Sequence, residues 1–134
     1  MSPETATLVE HLREALSRRS DVDLAVLFGS RARGKARPDS DADLAVRGKD
    51  LDTLALARDL SLASGVEVHT VDLDAMTYPL LDAIVKDAVF VHQREPGAAG
   101  RWLSRALLEL ETDRLWYERM RNAYLKKLAE GVHG

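Results

Sequence analysis

Apolar and polar residues follow two rhythms along this chain, one of helical period and one of strand period. Leu8, Val9, Leu12, Ala15 and Leu16 recur on one helical face, predicting a helix from about Pro3 to Arg19 with one buried side. Ser2-Pro3-Glu4 supplies its start: an N-cap, a proline in the first turn and an acid beside it. Val22 to Phe28 is almost wholly aliphatic and reads as a central strand, with Leu27 and Phe28 as core residues. Asp41 to Val46 predicts a second strand, with Ala42, Leu44 and Val46 on the face opposite Asp41 and Asp43. Gly48 and Asp50 end it, and Leu51 to Ser64 returns to helical spacing before Gly65 stops the helix. A third strand is expected over Val66 to Leu73, with Val66, Val68 and Thr70 facing one way and Glu67, His69 and Val71 the other. Pro79 opens a further helix with Leu80, Leu81, Ile84 and Val85 as core positions, and Val89 to Val91 reads as a short last strand. The fold class is therefore α/β (α+β): a small mixed sheet with helices packed on it.

After a break at Gln93 to Gly100, which holds Pro96, Gly97 and Gly100, the character changes. From Arg101 to about Glu130 charged and apolar residues are densely mixed in what reads as one long helix. It carries Trp102 and Trp116, both tryptophans of the chain, together with Tyr117 and Tyr124. Leu103, Leu107, Leu110, Tyr117, Tyr124 and Leu128 form one stripe, and Trp102, Ala106 and Met120 lie near another. A surface helix needs one stripe to join a core. The surplus is expected to bury either against the domain's own sheet or against another chain.

Composition narrows the class. The chain has 134 residues, enough for one domain with its own core. Its net charge of −3 argues against a general nucleic-acid binder, which presents a basic surface. The absence of cysteine removes disulfides and thiolate metal sites. No apolar run approaches the ~20 residues of a membrane span, and the N-terminus lacks the layout of a signal peptide. A soluble cytoplasmic protein without a direct nucleic-acid or membrane partner is expected.

The candidate chemistry lies between the first two strands. Leu27-Phe28 runs into Gly29-Ser30, ten residues rich in Arg, Lys, Gly and Pro follow, and Asp41 and Asp43 open the next apolar run. Residues two apart on a strand project to one face, so the two carboxylates stand side by side and repel unless a cation lies between them. Oxygen donors of this kind suit Mg²⁺. Gly29 admits a close backbone approach, and Ser30 opens what reads as one helical turn whose free N–H groups favour phosphate. A phosphate cradle and a metal site so joined are equipment for chemistry on a nucleoside triphosphate. Paired aspartates on a strand are more often solvated charge, but the Gly-Ser turn at this spacing makes that reading the weaker one. Arg31, Arg33, Lys35 and Arg37 in the loop read individually as solvated charge or as phosphate contacts. Ser40 is placed to fix the turn into the strand.

Gly29-Ser30 followed after ten residues by Asp41-x-Asp43 resembles the signature of the DNA polymerase β-like nucleotidyltransferase superfamily. The form Gly29-Ser30-Arg31-Ala32-Arg33-Gly34, then Ser40-Asp41-Ala42-Asp43-Leu44, is similar to its minimal nucleotidyltransferases (MNT), often the antitoxins of HEPN–MNT toxin–antitoxin pairs. The motif core covers about twenty residues, and the order of elements extends the likeness over the first ninety-odd. The resemblance implies a nucleotidyltransferase domain over 1–95 and a helical extension over 96–134, packed on the domain or on a partner. It implies Mg²⁺ on Asp41 and Asp43, the departing phosphates on Gly29 and Ser30, and an ordering or phosphate role for Arg33. In the antitoxin case the reaction is AMP transfer from ATP to a tyrosine of a partner HEPN toxin, an RNase. Two other outcomes stay open: transfer to a small molecule such as an aminoglycoside, and an antitoxin that acts by docking alone. The extension leaves an oligomer open as well.

The resemblance also implies a third carboxylate on the strand after the helix. The usual minimal form there looks like Val-Asp-Leu-Val-Asp-Leu; setting its second acid on Asp72 puts His69 at the first. Glu67 lies one pleat away on the same face, while Asp72 has the opposite parity and is expected to cap the next turn. Neutral histidine accepts a proton but is a poor Mg²⁺ ligand beside a carboxylate. Glu67 is therefore the expected third acid, with His69 as the alternative base and a merely exposed Glu67–His69 pair as the plain reading.

Overall fold

A computed structural model describes residues 2–34, 37 and 40–132. Helix α1 (Pro3–Ser17) starts where Ser2 Oγ accepts the Thr5 N–H at 3.2 Å. Strand β1 (Val22–Phe28) follows, then the single turn α2 (Ser30–Arg33) and strand β2 (Ala42–Gly48). Helix α3 (Thr53–Ser64) begins two residues later than its apolar spacing suggests, because Asp52 caps it by accepting the Ala55 N–H at 3.1 Å. Gly65, left-handed, closes it as expected. Strand β3 (Val68–Asp72), helix α4 (Tyr78–Asp87), strand β4 (Val89–Gln93) and helix α5 (Ala98–Val132) complete the described chain.

The four strands form one mixed sheet in the order β3-β2-β1-β4. β1 runs antiparallel to both neighbours, and β2 pairs with β3 in parallel. A hairpin-like return joins β1 to β2, whereas the β2–β3 crossover needs α3, as a parallel pair requires. One face of the sheet is sealed by α1 and α3, whose Leu12, Leu16, Leu56 and Leu60 pack on Ala25, Leu27, Leu44 and Val46. The other face carries Leu24, Val26, Phe28 and Ala45 under α4 and the first turns of α5, through Leu81, Ile84, Trp102, Ala106 and Leu110. Phe90 meets Trp102 edge-on at 6.0 Å.

Helix α5 begins three residues before the expected Arg101, because Gln93 Oε1 accepts the Ala99 N–H at 3.0 Å and provides a start within the apparent break. Its 35 residues give it a length of about 50 Å. Its two tryptophans have different fates: Trp102 is 7% exposed and Trp116 56%. Beyond Leu110, Leu115, Trp116, Tyr117, Met120, Tyr124, Leu125 and Leu128 are all exposed, although Tyr117 stacks on Tyr78 of α4 at 4.8 Å. The residues that join the core are Trp102, Ala106 and Leu110, drawn from both expected stripes, whereas Leu107 of the first stripe is exposed and Tyr117 reaches the domain through Tyr78. No helix among the described residues is long and apolar enough to cross a membrane.

Candidate active site

The site forms where the end of β1 meets the starts of β2 and β3. Phe28, the last residue of β1, is paired with Asp43, and Asp43 is paired in turn with His69. Glu67 precedes β3, and its carbonyl accepts the Ala42 N–H at 2.8 Å. In a parallel pair the side chains of matched residues share a face. That register brings Asp41, Asp43, Glu67 and His69 to one corner of the sheet, as the alternation in the sequence requires of each strand separately.

The four groups are not equivalent. Asp41, Glu67 and His69 each offer a ligand atom within 4.8 Å of the others'. The His69 ring contacts both acids, with Nε2 3.0 Å from Asp41 Oδ2 and 3.7 Å from Glu67 Oε1. Asp43 is set deeper and turns toward Gly29: a Cβ built on Gly29 would lie 2.8 Å from Asp43 Oδ2. With φ at +78°, position 29 is doubly reserved for glycine, by backbone conformation and by this approach. Burial pushes the Asp43 carboxyl above the usual carboxylate range; His69 opposes the rise and the Asp41 charge adds to it. A half-buried acid beside a second acid is the electrostatic condition that a bound cation relieves. Asp41 and Glu67 meet around the His69 ring, with Asp43 deeper beside them, and it is the carboxylate oxygens of this corner that suit Mg²⁺.

The cradle is anchored from behind. Ser30 opens α2, and Thr5 Oγ1 donates to the Arg31 carbonyl at 3.0 Å, docking that turn on α1. Arg31 is only 6% exposed, and its guanidinium donates to the Ser40 carbonyl through Nε at 3.1 Å and Nη2 at 2.6 Å. It thereby fastens the residue before Asp41 to the turn that carries Ser30. Sequence reasoning missed this role, because four cations in one basic loop carry no signal for which of them turns inward. Arg33 lies on the surface and pairs with Asp87 at the end of α4, at 2.7 Å. Ser40 fixes the turn as expected, its Oγ accepting the Arg37 N–H at 2.9 Å. Asp72 likewise accepts the Asp74 N–H at 2.8 Å and stands apart from the acidic corner. Lys35, Ala36, Pro38 and Asp39 of the loop lie outside the described residues.

Comparison with known proteins follows the same lines. A search of curated proteins finds no match. Among solved structures, a toxin–antitoxin complex with AMP-PNP contains a chain that superposes with a TM-score of 0.68 at 21% identity, over 90% of this chain and 98% of that one. The tri-AMPylated Shewanella oneidensis HEPN toxin in complex with its MNT antitoxin gives 0.62 at 19% identity, over 91% and 96%. Identities this low speak for the fold. A structure described as a minimal nucleotidyltransferase is 32% identical over 63% of this chain and 93% of its own length, with a TM-score of 0.54. The family model of polymerase β-type nucleotidyltransferases matches residues 10–96, which span the sheet and the whole acidic corner. With that match and that relative, the chain belongs to the polymerase β-type nucleotidyltransferase family.

Proposed function

We propose that this protein transfers AMP from ATP to a tyrosine hydroxyl of a partner HEPN toxin, in a reaction that depends on Mg²⁺. The observation that carries the reading is the cluster of Asp41, Glu67 and His69 at the corner where Asp43 lies against Gly29. Likeness to a toxin–antitoxin complex with AMP-PNP, over 98% of that chain, supports the choice of nucleotide and of partner. The AMPylated HEPN toxin held by another relative supports the choice of acceptor chemistry.

In this reading Asp41 and Asp43 hold Mg²⁺, with Glu67 as the third carboxylate. When bound, Mg²⁺ supplies neutralisation of the triphosphate charge and acidification of the attacking hydroxyl. Gly29 and Ser30 bind the two phosphates that depart, through backbone N–H groups and the Ser30 hydroxyl. The tyrosine oxygen bonds to the α-phosphorus, the bond from that phosphorus to the bridging oxygen breaks, and pyrophosphate leaves. Glu67 accepts the tyrosine proton; His69, in contact with both Asp41 and Glu67, orients them. Arg33 takes the ordering role, supported by its bond to Asp87, and Arg31 holds the loop between cradle and acids. The exposed apolar face of α5 beyond Leu110 is the docking surface for the partner, with Trp116 as its main aromatic anchor.

The test is incubation of the purified protein with ATP, Mg²⁺ and either a HEPN protein encoded beside it or an aminoglycoside, followed by mass mapping of each acceptor. An AMP adduct on a HEPN tyrosine is expected. Intact HEPN protein, or an adduct on an aminoglycoside instead, overturns the acceptor assignment.

A further inference from the structure

At the end of the sheet opposite the acidic corner, a cavity of about 470 Å³ opens between the starts of β1 and α5. Four guanidinium groups line it from three places in the chain: Arg47 at the end of β2, Arg94 just after β4, and Arg101 and Arg105 one helical turn apart on α5. In a protein of net charge −3 such a gathering runs against the overall balance. Two carboxylates in the lining, Asp23 and Glu95, and a third just outside it, Asp74 on Arg47, still leave one more cation than anion. The pairings of the two lining carboxylates are long, 3.5 Å for Arg94 with Asp23 and 3.7 Å for Arg101 with Glu95, although Arg94 Nη1 also donates to the Ser20 carbonyl at 2.9 Å. Among the described residues Arg47 is held through Nε, by Asp74 at 3.0 Å, so its terminal nitrogens make no bond there. Arg105 makes no hydrogen bond or ion pair among the described residues. Gly97 adds room: a Cβ there would lie 2.9 Å from Arg101 Nη1.

We infer that this cavity is a second anion site, separate from the acidic corner, that binds a small ligand carrying adjacent phosphate groups. The charge arithmetic selects the ligand class. A monoanion would only replace one of the carboxylates already present, so it gains little. A polyphosphate brings several charges at once and offers each guanidinium fork a matching pair of oxygens. The volume is that of a small-molecule pocket and admits a nucleotide. Trp102 forms an apolar part of its wall. Free pyrophosphate and the phosphate tail of a nucleotide share this chemistry, and the experiment separates them.

Isothermal titration is done on the full chain with EDTA present, so that no Mg²⁺-dependent binding at the acidic corner contributes. Pyrophosphate, ATP and adenosine are compared, on wild type and on an Arg101→Gln/Arg105→Gln variant. Both substitutions lie on the exposed side of α5, and circular dichroism checks the fold. The expected result is binding of pyrophosphate and ATP but not adenosine, weakened about tenfold or more in the double variant. Pyrophosphate as strong as ATP assigns the site to phosphate alone; markedly tighter ATP assigns it to a nucleotide. Nucleotidyl transfer by the variant stays at the wild-type level, because none of its changes lies at the acidic corner. Absence of binding by both anions, or equal affinity in wild type and variant, overturns the inference. An Arg47→Gln variant serves as a second probe from a different element and is expected to weaken binding in the same direction.

Discussion

Asp41 and Asp43 stand at the start of strand β2 and Arg47 at its end, and the surfaces gathered around these two places differ in sign and in construction. The acidic corner is built by backbone register: Asp43 is matched with Phe28 on one side and His69 on the other, and Gly29 approaches it within the length of a missing methyl group. The basic cavity is built by long side chains reaching in from β2, from the turn after β4 and from α5. Backbone register fixes the positions from which the carboxylates project, a precision that coordination of a small hard cation demands. Arginines on flexible stems tolerate more variation, which suits recognition of an anion by charge. One strand thus carries two kinds of site, and they are expected to respond differently to substitution.

The strongest way to break the acidic corner without removing an acid is Gly29→Val. The branched side chain collides with Asp43 at a positive φ, so transfer is expected to fall on the order of 1000-fold while circular dichroism still reports a folded protein. Transfer within a few fold of wild type would show that the Gly29–Asp43 approach has no bearing on the chemistry. At the other end, Trp102→Ala removes a buried wall of the basic cavity and is expected to cost about 3 kcal/mol in denaturant unfolding. Trp116→Ala is expected to stay within about 0.5 kcal/mol of wild type and to weaken partner capture instead. Equal stability losses in both would mean that α5 is a core helix along its whole length.

Within the acidic corner, Glu67→Gln is expected to lower transfer about 100-fold, and His69→Ala about tenfold or less. The reverse ranking in parallel assays would make His69 the base. The smallest effect concerns Arg19, which bonds Asp21 at 2.8 Å and Asp59 at 2.7 Å. The hydrogen bond from Arg19 holds the Asp21 carboxyl below its usual range. A lowered carboxylate stabilises the fold above its unfolded value, about 3.9, and loses that contribution as pH falls through the folded value. Arg19→Met should therefore cost under about 1 kcal/mol at neutral pH, since the pair is partly exposed, and the difference from wild type should fade as pH falls through the folded value of Asp21. A difference that persists in acid would point to lost packing.

Much of this was legible in the sequence where one rhythm decides it. The bounds of β1, the shared face of Asp41 and Asp43, the stop at Gly65 and the local role of Asp72 follow from alternation and turn chemistry alone. The pairing partners were not legible. The family resemblance makes Glu67 the expected third acid, but strand spacing alone leaves it and His69 an exposed pair, and only the parallel register with β2 sets them beside Asp41 and Asp43. The inward turn of Arg31 depends on the Ser40 carbonyl and the α1 docking of Thr5, neither of which leaves a periodic trace. Two partners for α5 were open on sequence; within this chain Trp102 and Leu110 join the core, and the apolar residues beyond them stand exposed.

The central claim is that Asp41 and Asp43 carry nucleotidyl transfer through a bound cation, and the most direct measurement follows label from α-labelled ATP into the proposed HEPN acceptor in Mg²⁺. Wild type, Asp41→Asn and Asp43→Asn are compared at matched concentration, with unfolding curves to confirm that each is folded. The account predicts strong labelling by wild type, its loss in chelator, and none above background in either variant. Label transfer by either folded variant at a rate near wild type would contradict it.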